Sequence, residues 1–149
     1  MALNPSFVGK QYPNTPEYEV CREHIREFAM AIGDHNPAYY NVDAAEELGH
    51  TDLIAPPTYA FTLTMRAMAV VMFDPDLGLD YGLVVHGEQH FEYRRPITAG
   101  DRLVVKVAIG EIETRGSNEY LTTRCDVATV AGEAVVTTRE VLVSRGTAA

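Results

Sequence analysis

Residues 33–41 read Gly-Asp-His-Asn-Pro-Ala-Tyr-Tyr-Asn, and they gather a carboxylate (Asp34), an imidazole (His35), an amide (Asn36) and a phenol (Tyr39) into one short stretch. A carboxylate beside an imidazole suits acid–base work on water, because such groups act best with a pKa near ambient pH. Imidazole, at about 6.5, meets that condition; phenol, at about 10, is a poor base. Side chains of adjacent extended residues point apart, so His35 is expected to face away from the site of Asp34. Asp34 also follows Gly33 in an Asx-turn context with Asn36-Pro37, a loop-bracing role that needs no chemistry. Both roles stay open for Asp34, and Tyr39 is open to aromatic packing, lining or hydrogen bonding. His86, Glu88 and His90 alternate along one expected strand face, a pattern that can hold a metal. Cys21 and Cys125 make no disulfide framework and have no histidine partner in the sequence; they read as reduced thiols. Arg94-Arg95 is either a solvated strand end or an anion contact. No Gly-rich nucleotide loop is present.

The elements that position these residues follow from periodicity. Ile25, Phe28, Ala29 and Ile32 recur at helical spacing, so residues 21–32 read as a helix that Gly33 stops. Residues 34–41 are then a loop, and a short helix is expected over 43–48. Residues 57–73 read as a longer helix opened by Pro57, apolar almost all round, with Arg66 its one charge. Such a helix is buried. Its Met65, Met68 and Met72, with Phe61 and Phe73, are either core or the lining of an adaptable apolar channel. From residue 83 the period becomes two. Gln89, Phe91 and Tyr93 oppose Glu88, His90 and Glu92; Leu103, Val105, Val107 and Ile109 oppose Arg102 and Lys106. Two further alternating runs follow, around Leu121–Val127 and Val135–Val143. Short, turn-rich links make these four strands antiparallel. Residues 18–20 read as a short strand after an irregular arm, and residues 1–6 and 146–149 as loose tails. Helices followed by antiparallel strands are an α+β pattern.

A chain of 149 residues suits one domain, 1–149, with its core at about 5–145. A net charge of −9 argues against nucleic-acid or anionic-membrane binding, which need a basic surface. No run approaches the roughly 18 apolar residues of a membrane helix, and no signal pattern opens the chain, so a cytoplasmic location is expected.

Three segments carry a family resemblance: Gly33-Asp34-His35-Asn36-Pro37, then Leu53-Ile54-Ala55-Pro56-Pro57-Thr58-Tyr59, then Val85-His86-Gly87-Glu88-Gln89 with Phe91-Glu92-Tyr93-Arg94-Arg95-Pro96 and Ala99-Gly100-Asp101. In this order and spacing the chain resembles the MaoC-like (hydratase 2) hot dog family. The resemblance implies an antiparallel sheet wrapped around a central helix, paired with a second copy or partner into a double hot dog. It also implies lyase chemistry in fatty-acid metabolism, the dehydration of a (3R)-3-hydroxyacyl thioester. The family's loop runs Gly-Asp-x-Asn-Pro-x-His, and a Gly amide at the start of the central helix holds the thioester oxygen. Here Tyr39 stands at the His position and Pro57, which has no N–H, at the Gly position.

The match is therefore nearest to the non-catalytic N-terminal half of two-domain hydratases, and to the acyl-binding subunits of (3R)-hydroxyacyl dehydratases. The leading expectation is an accessory subunit that binds acyl-CoA or an acyl carrier protein and pairs with a catalytic MaoC-like subunit. The alternatives are a self-sufficient homodimeric hydratase using Asp34, with His35, His86 or Tyr39 as partner; a thioesterase; and a non-enzymatic acyl-CoA-binding module. The resemblance assigns Asp34 to the catalytic position and Asn36, Tyr39, Pro57, Tyr59, His86 and Gly87 to substrate binding. It implies neither cofactor nor metal, since the family strand motif accounts for His86, and it offers Arg94-Arg95 a pantetheine phosphate or a carrier protein's acidic residues.

Overall fold

The computed structural model describes residues 2–148. A two-residue strand β1 (Tyr18–Glu19) leads into helix α1 (Arg22–Ala31). Helices α2 (Val42–Glu47), α3 (Ala60–Ala67) and α4 (Ala69–Met72) follow, and then four long strands: β2 (Val84–Tyr93), β3 (Arg102–Arg115), β4 (Asn118–Thr129) and β5 (Ala134–Ser144). They form one antiparallel sheet in the order β1-β3-β4-β5-β2, curled about the helices in the α+β hot dog arrangement.

Alternation places the core. Leu103, Val105, Val107 and Ile109 of β3 are all buried, and Leu121, Cys125 and Val127 continue that face on β4. Helix α3 packs over β3. Toward β2 the concave face changes character: Gln89, Phe91 and Tyr93 are only half-buried, and Thr123, Thr138 and Glu140 bring polar groups into the interior. Four side-chain atoms there, the two amide atoms of Gln89 and the hydroxyls of Thr123 and Thr138, have no hydrogen-bond partner. Each such buried group costs about 1–3 kcal/mol.

The structure departs from the sequence pattern in four places. The expected helix over 57–73 begins only at Ala60 and breaks after Ala67. Pro56, preceding Pro57, is biased away from helical backbone. The amides of Tyr59, Phe61 and Thr62 make tight i→i+3 bonds, and at the break the Val71 amide turns back to the Met68 carbonyl. Nor is this segment buried all round: Met68 and Met72 sit in the core, but Met65, Val70 and Phe73 are exposed. The expected shared face of His86, Glu88 and His90 is broken by a bulge at Gly87. His86 pairs with Leu142 on the concave side, whereas Glu88 and His90 pair with Val141 and Arg139 on the other. A Cβ at Gly87 would come within 3.1 Å of the Val143 side chain and 3.2 Å of the Val141 carbonyl oxygen. Finally, Leu3 and Thr147, within the expected loose tails, are clamped. Both carboxylate oxygens of buried Glu119 lie 3.0 Å from the Leu3 amide, and Thr147 Oγ1 donates to Oε2 at 2.7 Å. Met1 and Ala149, in the expected loose tails, lie outside the described residues.

Candidate functional site

Loop 33–41 is held by its own polar side chains. Asp34 Oδ1 accepts from the Asn36 amide at 3.2 Å, and Asn36 Oδ1 accepts from the Ala38 amide at 3.1 Å, capping a turn of 3₁₀-helix over Pro37–Tyr39. The Tyr40 hydroxyl donates to the Asp34 carbonyl at 2.7 Å. Asp34 and Asn36 thus brace the loop, and His35 is exposed on it. The turn delivers Tyr39, 6% exposed, into the protein. Burial, and then the Asp34 carboxylate, hold its phenol above the ordinary tyrosine value, with Asn36 partly offsetting them. Tyr39 is therefore a neutral hydroxyl at physiological pH, not a base.

Tyr39 and Pro57 line one cleft of about 330 Å³. Ile54, Ala55 and Pro96 supply its apolar wall, and Tyr93, Arg94 and Arg95 its polar side. The Tyr93 hydroxyl donates to the Pro57 carbonyl at 2.6 Å. Burial pushes the Tyr93 phenol up to about 12, and the Ala60 amide draws it partly back. The N-terminus of α3 therefore meets a tyrosine hydroxyl from β2, at the place where a helix end otherwise offers amides to an anion. The two arginines differ. Arg95 grips Asp101 through both terminal nitrogens, at 2.8 and 3.0 Å, and Glu133 through Nε at 2.8 Å. Among the described residues the Arg94 side chain pairs only with Glu92, in an exposed pair at 2.6 Å.

The other sequence-derived candidates lie elsewhere. Tyr59 is fully buried at the N-cap of α3, its hydroxyl 2.9 Å from that of Tyr18 and 3.2 Å from His24 Nδ1. Burial and the Tyr18 contact raise its pKa strongly. His86 stacks on Phe61 of α3 with ring centroids 5.4 Å apart, and its Nε2 lies 3.0 Å from the Glu88 carbonyl oxygen. Gly87 is the bulge beside it. Sequence reasoning missed the contacts of Tyr93 and His24: Tyr93 was legible as an alternating strand residue within the third family segment, with no sign of its bond to Pro57, and His24 carried no signal.

With this geometry in view, comparison with known proteins is specific. A family model described as "FAS1-like, dehydratase domain region" matches residues 6–138. A UPF0336 protein of Saccharopolyspora erythraea is 51% identical over 148 residues, 99% of this chain and 95% of that one. Among solved structures, the chain is similar to the C-terminally truncated HadBC (3R-hydroxyacyl-ACP dehydratase) complex of Mycobacterium tuberculosis. Identity is 28% and the TM-score 0.84, covering 92% of this chain and 96% of that one. It is also similar to a MaoC-like dehydratase, at 30% identity and a TM-score of 0.87, covering 94% of this chain but 42% of that longer one.

Proposed function

Since the chain belongs to the family of FAS1-like dehydratase domain regions, with a MaoC-like hot dog fold, we propose that it is the acyl-thioester-binding, accessory subunit of a (3R)-3-hydroxyacyl-thioester dehydratase. The observation that carries this is the convergence of Tyr39 and Pro57 in one cleft. The first replaces a base with a neutral phenol; the second removes an amide donor, and Tyr93 occupies the carbonyl beside it. An apolar slot with hydroxyls suits holding an acyl thioester. With a phenol at the base position and a proline at the amide position, it offers neither the imidazole that would move a C2 proton nor the backbone N–H that would hold the oxyanion, a donor often worth about 3–4 kcal/mol. The HadBC relative is a complex of two subunits, which supports assigning the missing chemistry to a partner hot dog with an intact loop.

The test is crotonyl-CoA hydration by the purified chain, and by the chain co-expressed with a hot dog protein retaining Gly-Asp-x-Asn-Pro-x-His. The chain alone is expected to be inactive and the pair active. Tyr39→His alone is expected to stay inactive, because Pro57 still offers no N–H. Turnover by the isolated chain that disappears in Asp34→Asn overturns the proposal.

A further inference from the structure

Beneath α3, the concave face carries a polar patch that the cleft does not explain. Gln89, Glu140 and Thr123 stand side by side across β2, β5 and β4, and Thr138 lies in the adjoining row between Phe91 and Cys125. Glu140, 2% exposed, accepts from the Thr64 hydroxyl of α3 at 2.9 Å. Beyond that bond the patch is unsatisfied. Both amide atoms of Gln89 and the fully buried hydroxyls of Thr123 and Thr138 have no hydrogen-bond partner. The Cys125 thiol beside Thr138 is a weak partner. Buried polar atoms are normally satisfied, and several orphans in one place beside a carboxylate mark a site that takes a polar group.

The chemistry of the lining narrows that group. The Gln89 amide oxygen is an acceptor without a partner, so an occupant bonded to it donates. The Gln89 N–H bonds donate, so the occupant also accepts. A hydroxyl does both. A keto or ether oxygen cannot donate, and a hydrocarbon chain leaves every orphan in place.

Strand β2 links the patch to the cleft. Tyr93, Phe91 and Gln89 project in file along the concave side of β2, all half-buried, with Tyr93 in the cleft. Gln89 lies four residues from Tyr93, roughly 13 Å along the strand. We propose that the seam between α3 and β2 is a subsite for a hydroxyl carried far along the acyl chain, well beyond the carbons that react. The subunit then selects hydroxylated long-chain acyl thioesters over plain ones. This rests on the acyl-binding reading above.

The test is isothermal titration calorimetry of the chain, and of its complex with the co-expressed partner, against a ladder of ω-hydroxyacyl-CoAs and the matching unsubstituted acyl-CoAs. At the length that seats the hydroxyl, the hydroxylated probe is expected to bind at least tenfold more tightly. In the near-isosteric double variant Thr123→Val/Thr138→Val that preference is expected to vanish. Affinity for the plain chain should be kept and the melting temperature be equal or higher, since only unpaired hydroxyls are removed. Equal affinities at every length, or a preference that survives the double variant, overturn the inference while leaving acyl binding intact. A lowered melting temperature in the double variant overturns it too, because the hydroxyls then serve the folded core. Failure of both probe series to bind overturns the acyl-binding reading and this inference with it.

Discussion

At one edge of the sheet β3 is covered along most of its length. β1 pairs with Arg102 and Leu103, the amides of Thr15 and Tyr12 bond to the Val105 and Val107 carbonyls, and Gly9 and Lys10 exchange bonds with Ile109. At the other edge, among the described residues, the ten-residue β2 is bonded to β5 alone. Leu83 and Val85 are exposed there, and Phe73 and Tyr81 lie against each other with ring centroids 6.0 Å apart. An open strand edge is a liability in a protein that works alone and an asset in one that pairs. The chain spends its own N-terminal arm on the first edge and leaves the second open. The covered edge is thus the β3 side, and the β2 side is the one left free for the pairing proposed above.

Four interventions test that contrast, in descending effect on stability. Ile109→Ala empties a fully packed position at the covered edge and is expected to cost about 2–5 kcal/mol in urea unfolding, without altering association. Glu119→Ala strands the Leu3 amide and is expected to cost about 1–3 kcal/mol. Its second signature is faster proteolytic cleavage of the arm. Alkali acts on both sides, because the phenols of Tyr12 at the covered edge and Tyr93 at the open one are raised by burial. With the folded pKa above the unfolded value of about 10, the folded state holds more protons in between. Stability is then full below about pH 10 and falls as pH rises toward 12 and beyond. Tyr93→Phe should flatten the first part of that decline in a pH-dependent melting series. Val85→Asp should change the stability of the isolated chain by less than about 0.5 kcal/mol, yet prevent association in sedimentation with a hot dog partner. If it leaves association intact, the open edge is not the docking edge.

What the sequence disclosed follows the same divide between local and distant causes. The alternation of Leu103, Val105, Val107 and Ile109 places β3 directly, and the helical spacing of Ile25 and Ala29 places α1, because each pattern is written in neighbouring residues. The loop of Asp34 and Asn36 was legible for the same reason. The reversal of His86 at Gly87 was not, since the close approach of β5 forces it. Nor was Tyr93 on the Pro57 carbonyl, which joins residues 36 positions apart. Nor was the clamp at Glu119, whose partners are 116 and 28 positions away.

That carboxylate has a further consequence. Because Leu3 and Thr147 meet on one oxygen, these two residues are neighbours in space. A few residues of linker between them would close the stretch 3–147 into a ring. That stretch should accept circular permutation, with new ends cut at an exposed turn such as that around Gly116.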